Sequence, residues 1–221
     1  MHTYTHGPES PAQTEGRLIR RASFYDLTVN LMTFGRVRRL RNLTVDHALL
    51  KPGESVLDVG CGTGGVTIPA KLRVGKVGRV SGIDPAPEMI VVARRKAQRA
   101  GIEIDFRVGV IESLPYPDET FDVVTSSLMM HHLPEHLRVK GLAEIRRVLK
   151  PSGRILIADM MRPVPSFLEH LSSLILHHGH SMQFGIEDLS ALLKEAGFEK
   201  VKQLDDYFLT IGFAHATKPG A

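Results

Sequence analysis

Cysteine occurs once in this chain of 221 residues, at Cys61, and tryptophan is missing altogether. A single thiol excludes a disulfide framework and a cysteine-built metal site. It also leaves too few thiolates for arsenite-type methylation, and it suits a reducing compartment such as the cytoplasm. No stretch approaches the roughly 18 consecutive apolar residues of a transmembrane helix. The N-terminus carries histidine and proline but no apolar h-region, so no signal peptide is expected.

What is present is ordinary for a globular protein: 43% hydrophobic and 24% charged residues. Twenty-eight basic against 24 acidic side chains leave a net charge of +4. The charge is uneven. Between residues 17 and 41 stand Arg17, Arg20, Arg21, Arg36, Arg38, Arg39 and Arg41, against the single acid Asp26. A solvated helix face accounts for this. The alternative is a basic surface near a site entrance, turned toward an anionic substrate or a membrane surface. No aromatic residues are interleaved in the manner of RNA-binding modules, so no nucleic-acid partner is expected.

The pattern along the chain predicts a polar, disordered tail over residues 1–13. N-terminal helices follow over 14–50, broken near "TFG", and then a Rossmann-like core over 51–221, all in one domain. In the core, apolar strands alternate with helices: "SVLDV", "GRVSGID", "IDFRVG", "FDVVTSSL" and "RILIADM" are the strands. Helices are read to about residue 73, over 88–100, over 135–149, over 165–180 and over 187–196. Near-continuous apolar strands separated by helices specify a parallel sheet covered on both faces. The last two strands, "FEKVKQLDD" and "YFLTIGFAHATK", lack a crossover helix and should pair antiparallel.

"VLDVGCGTGG", Val56 to Gly65, follows the first strand and matches G-x-G-x-x-G at Gly60, Gly62 and Gly65. That pattern usually cradles a dinucleotide pyrophosphate at a helix N-terminus. Asp58 argues against it. A carboxylate beside two phosphates is repelled by about 1 kcal/mol at 4 Å in water, and by more once desolvated. A cofactor carrying an ammonium and a sulfonium is attracted instead, which points to S-adenosylmethionine. Asp84, ending the second strand, suits ribose hydroxyls and does not separate the two cofactors.

"VLDVGCGTGG", "GIDPAPEMI", "ESLPYPDETFDVVTSS" and "EIRRVLKPSGRILIAD", in this order and spacing, resemble the class I S-adenosylmethionine-dependent methyltransferases over about residues 20–216. "FYDLTVNLMTFGRVRRLR" resembles the N-terminal segment of the ubiquinone/menaquinone C-methyltransferase group. The resemblance implies a seven-stranded α/β sheet with a reversed last strand. It implies that Asp58 and the loop Gly60, Cys61, Gly62, Thr63 and Gly64 hold the methionine end of the cofactor. Asp84 takes the ribose, Met89 packs on the adenine, Pro85 is a further cofactor-binding position, Ser126 and Ser127 line the methionine side, and Tyr25 closes the site.

One departure concerns Val110 and Ile111, where many relatives carry Asp or Asn followed by Ala. That polar side chain takes the adenine exocyclic amine, and valine cannot. The Ile111 N–H still suits a ring nitrogen. Losing one hydrogen bond costs about 0.5–1.5 kcal/mol. Weaker cofactor binding, replacement by Glu112 and a degenerate site all remain open at this point. An NAD(P)-dependent oxidoreductase and a non-catalytic binding protein of this fold are the rival functions.

The acceptor should lie beyond the fourth and fifth strands. Met129, Met130, Met160 and Met161 follow them, and the apolar segment "PSFLEHLSSLILHHGHSMQF" is placed to cover them. This predicts a small hydrophobic, ring-containing or prenylated acceptor, unless the methionines are simply core. Methyl transfer from a sulfonium needs a base only when the nucleophile holds a proton. His131 and His132 in "MMHHLP" are the candidates, and Asp159 reads as a structural hydrogen-bonder. "HHGH" at 177–180 lacks carboxylates at ligand spacing, so no metal is expected. A monomer or a homodimer, and a peripheral membrane contact, stay open.

Overall fold

The computed structural model describes residues 14–16, 22–162 and 184–220. The expected tail over 1–13, the helix over 165–180 and the "HHGH" run lie outside the described residues. Two helices come first, α1 (Ala22–Met32) and α2 (Val37–His47). Phe34 and Gly35, both with positive φ, turn the chain between them at the expected "TFG" break. Then follow β1 (Ser55–Val59), α3 (Thr67–Val74), β2 (Arg79–Asp84), α4 (Pro87–Arg99), β3 (Asp105–Val108) and β4 (Phe121–Ser127). A one-turn 3₁₀ helix (Met130–His132) leads into α5 (Glu135–Val148), β5 (Leu149–Met160), α6 (Ile186–Glu195), β6 (Glu199–Phe208) and β7 (Ile211–Thr217). Pro69 sits in the first turn of α3, where its missing N–H has no helical partner to lose.

The seven strands form one sheet in the order β3-β2-β1-β4-β5-β7-β6. The first five pair in parallel, and β7 runs antiparallel to both β5 and β6. The reversed strand and the seven-stranded sheet match the expectation. The hairpin turn, however, falls at Leu209 and Thr210, so Tyr207 and Phe208 belong to β6 rather than to the last strand. Neither turn residue is a usual turn former, so the sequence carries no signal there. "KPSG" likewise proves to be a bulged stretch inside β5, with Ser152 at positive φ and a register shift opposite β4.

Strand alternation explains the continuous apolar runs. Leu57, Val124, Ile155 and Ile157 face one way, onto α5 through Leu142 and Ile145 and onto α6 through Leu189 and Leu193. Their neighbours Val56, Val123, Leu156 and Ala158 face the other way, onto Leu40 and Val45 of α2 and Ala70 and Val74 of α3. Both faces of the central strands are covered, so most of their positions are apolar. The N-terminal helices are anchored by Arg154 on β5. Its guanidinium donates to the carbonyls of Ala48 (2.9 Å) and Leu49 (2.6 Å) and to both carboxylate oxygens of Glu54. Among the described residues no helix is long and apolar enough to cross a membrane.

Candidate active site

The loop after β1 lies at the carboxyl end of the sheet, where parallel α/β folds place ligands. Gly60, Gly62 and Gly64 all have positive φ, a conformation costly for other residues. The Gly60 and Cys61 N–H groups donate to the Ile83 carbonyl at 2.9 and 3.0 Å, which stitches the loop to β2. A Cβ on Gly60 would lie 2.5 Å from Met129 Cγ, and one on Gly62 would meet the Tyr25 ring at 3.4 Å. The third glycine of the literal pattern, Gly65, gives way to Arg41, whose Nε would stand 2.6 Å from an added Cβ.

Asp84 accepts hydrogen bonds from the N–H groups of Gly62 and Ala86, both at 2.9 Å. Burial dominates and raises its pKa to about 6. Asp58 is buried outright. Its two oxygens accept from the hydroxyls of Thr67 (2.6 Å) and Thr125 (2.8 Å), and burial outweighs these bonds to give a pKa of about 6. Both Asp58 oxygens are thus taken by threonine hydroxyls, although Asp58 also lines the small cleft.

Two adjoining clefts open here and share Tyr25, Gly60 and Leu128. The larger, about 700 Å³, runs from Gly60 and Gly62 past Asp84, Pro85 and Met89 to the turn Gly109–Glu112 and on to Met129, His132 and Leu133. The smaller, about 440 Å³, holds Asp58, Cys61, Thr63, Gly65, Arg41 and Ser127. Tyr25 comes from α1 and packs beside Ala86 and Met89; burial raises its phenol pKa to about 12, so it stays neutral. Leu128 at the rim has φ +55, a strained value for a leucine.

A polar latch ties α1 to the loop, and the sequence offered no signal for it. Asp26 accepts from Lys96 Nζ on α4 (2.5 Å), Arg41 on α2 (3.0 Å) and the Thr63 hydroxyl (2.9 Å). Burial pushes its pKa up, but hydrogen bonds from Lys96 and Thr63 outweigh this and hold it below the usual range. Arg41 therefore does not belong to the solvated basic face, whereas Arg36, Arg38 and Arg39 are exposed.

Several expected residues are placed differently. Ser126 is fully buried and lines neither cleft, because alternation along β4 turns it away from the face that carries Thr125 and Ser127. The Cys61 thiol points into the cluster of Ile90, Ala93 and Phe106, where burial pushes its pKa up, so only its backbone can serve a ligand. Gly64 lines neither cleft; its role is to let Phe106, Ala93 and Ile68 pack close. Of the four methionines only Met129 reaches the large cleft, and Met130 is core.

The two histidines divide their roles. His132 lines the large cleft, and the His131 ring lies behind it, with centroids 3.9 Å apart. His131 Nδ1 lies 2.5 Å from Asp159 Oδ1, and its backbone N–H donates to Oδ2 at 3.2 Å. Asp159 is almost fully buried. Its hydrogen bonds hold the His131 imidazole beside the cleft. Among the described residues no cluster of potential metal ligands occurs.

A family model described as a methyltransferase domain matches residues 56–153. The ubiquinone/menaquinone biosynthesis C-methyltransferase UbiE of Escherichia fergusonii is 31% identical over 214 residues, 86% of this chain and 83% of that protein. The protein of that name in Salmonella paratyphi B matches to the same extent. Among solved structures, a SAM-dependent methyltransferase from Aquifex aeolicus superposes with a TM-score of 0.68 at 24% identity, covering 80% of this chain and 89% of that one. Phosphoethanolamine N-methyltransferase 2 of Haemonchus contortus superposes with a TM-score of 0.66 at 17% identity, covering 91% and 61%. These two likenesses show the fold, and the oxidoreductase alternative is set aside. The chain belongs to the class I S-adenosylmethionine-dependent methyltransferase family.

Proposed function

We propose that this enzyme methylates a carbon or oxygen atom of a small, apolar, ring-containing acceptor of the quinol type. The observation that carries the reading is the continuity of the large cleft: it runs without a break from the glycine loop and Asp84 to Met129 and His132. The relatives named for ubiquinone and menaquinone biosynthesis support the acceptor class.

S-adenosylmethionine, when bound, supplies an electrophilic methyl group on a sulfonium. The residues present fit it: two carboxylates, Asp58 and Asp84, bracket a glycine cradle, and the Arg41 guanidinium beside Gly65 is paired with Asp26. Asp84 holds the ribose hydroxyls, while Pro85 and Met89 flank the adenine. Asp58, through the loop Gly60–Thr63, favours the ammonium, and Arg41 at the small cleft suits the methionine carboxylate. Tyr25 shuts the site from above and keeps water out.

His132 is the side chain placed to take a proton from the acceptor, and His131 and Asp159 position it. A carboxylate can meet Nδ1 only if that nitrogen carries the hydrogen, so Asp159 selects the tautomer of His131. In-line displacement needs little else beyond orientation and a dry cleft.

The α1–α2 corner supports a peripheral contact with an anionic membrane, from which an apolar acceptor would enter. Leu31, Met32 and Phe34 are exposed there, Phe34 at 79%, beside Arg36, Arg38 and Arg39. Methyl transfer from labelled S-adenosylmethionine, assayed on apolar quinols and on small polar amines or acids, tests the acceptor. Selective use of the polar compounds would overturn the reading.

A further inference from the structure

We propose that Glu112 reads the adenine amine in this chain, replacing the polar side chain that Val110 does not supply. The proposal rests on the cofactor reading above and names the residue that sets base specificity within it. Val110 lines the large cleft and offers no acceptor, so the wall at that point is apolar.

Local geometry brings the next polar side chain to the same wall. Ser113 N–H donates to the Val110 carbonyl at 3.3 Å, closing a tight turn. The Ile111 side chain enters the core against α5, so close that a Cβ on Gly141 would stand 2.6 Å from Ile111 Cδ1. Glu112 then lies on the cleft side.

Its Oε2 is shielded from solvent and has no hydrogen-bond partner. Among the described residues Tyr116, Ser126, Arg138 and His215 also bury an unpartnered polar atom, but none of these lines the large cleft. A buried carboxylate oxygen without a donor is costly, and a ligand N–H removes that cost. The turn is also held in place. Leu114 N–H donates to Glu144 at 2.8 Å, and Arg147 donates to the carbonyls of Leu114 (3.0 Å) and Tyr116 (2.8 Å).

A carboxylate only accepts hydrogen bonds. It favours adenine, whose exocyclic amine donates, and repels hypoxanthine, which presents a carbonyl oxygen at that position. An amide in its place can turn its NH₂ toward that oxygen, so the two bases become alike to it.

Calorimetry with S-adenosylhomocysteine and its deaminated analogue, S-inosylhomocysteine, tests this without any turnover. The wild type is expected to prefer the adenine compound by about tenfold or more. Glu112→Gln should remove most of that preference, and Val110→Asp added to Glu112→Gln should restore it. Melting temperatures close to wild type confirm that the variants fold. If both compounds bind and Glu112→Gln leaves their ratio unchanged, the assignment to Glu112 is overturned while the cofactor site stands. If the wild type binds neither, the cofactor reading falls and the proposal with it.

Discussion

His131 Nδ1 and Asp159 Oδ1 lie 2.5 Å apart at the carboxyl ends of β4 and β5, joining two residues 28 positions apart in the chain. The Asp159 carboxylate also takes the N–H groups of His131 and Met160. It therefore fixes both the backbone and the ring of the histidine packed behind His132. Asp159→Asn should lower kcat by about tenfold to a hundredfold and change the shape of the pH–rate profile, with the Kd for S-adenosylhomocysteine unchanged. His132→Ala should cost more, within the roughly 10²–10⁴-fold range of a lost general base. Normal kcat in both variants would show that the acceptor needs no proton removed here.

Asp84 accepts from two N–H groups, of Gly62 and Ala86, at the wall of the large cleft. Asp84→Ala removes a charged acceptor that contributes about 1.5–3 kcal/mol per hydrogen bond. It also frees the N–H groups of Gly62 and Ala86. Titration calorimetry should show cofactor affinity weakened at least tenfold. An affinity equal to wild type would place the ribose elsewhere.

Burial raises both Asp58 and Asp84 to a pKa of about 6 in the free protein. The bound cofactor favours their charged forms, so affinity should fall as pH drops through 6. At pH 5 it is expected to be roughly tenfold to a hundredfold weaker than at pH 7. The unliganded fold responds in the opposite direction. An acid raised in the folded state binds protons that the unfolded chain has already lost, so this contribution grows as pH falls from 7 toward 5. Affinity that stays flat over that range would remove both carboxylates from the binding equilibrium.

Gly60→Ala should harm both folding and the site. The residue has φ +73, and the new methyl would meet Met129 Cγ at 2.5 Å. Strain at such a backbone position costs on the order of 1–3 kcal/mol. A fall of several degrees in Tm, together with weaker cofactor binding, is the expected result. Gly65→Ala should spare the backbone and displace Arg41, weakening cofactor affinity more than Tm.

Membrane contact at the α1–α2 corner is open to sedimentation with vesicles. The protein should pellet with phosphatidylglycerol vesicles and much less with phosphatidylcholine alone. Phe34→Asp and Arg38→Glu should each release it, while cofactor affinity stays the same. Equal recovery in the supernatant with both lipids would rule this contact out.

Much of this was legible in the chain itself. Apolar runs such as "SVLDV" and "RILIAD" dictate buried parallel strands, because a strand covered on both faces has no polar side to spare. Glycines 60 and 62 mark a tight loop, and Asp58 beside them argues against a pyrophosphate. The missing crossover helix near residue 206 dictates the antiparallel pair. Tertiary structure decided the rest. Which of Ser126 and Ser127 faces the cleft depends on the phase of β4 against a face that local sequence does not reveal. The Thr125 hydroxyl on Asp58, the Asp26 latch on Thr63 and the Asp159 carboxylate on His131 all join residues far apart in the chain. Such contacts arise only when the sheet brings its strand ends together, and no local propensity or spacing encodes them.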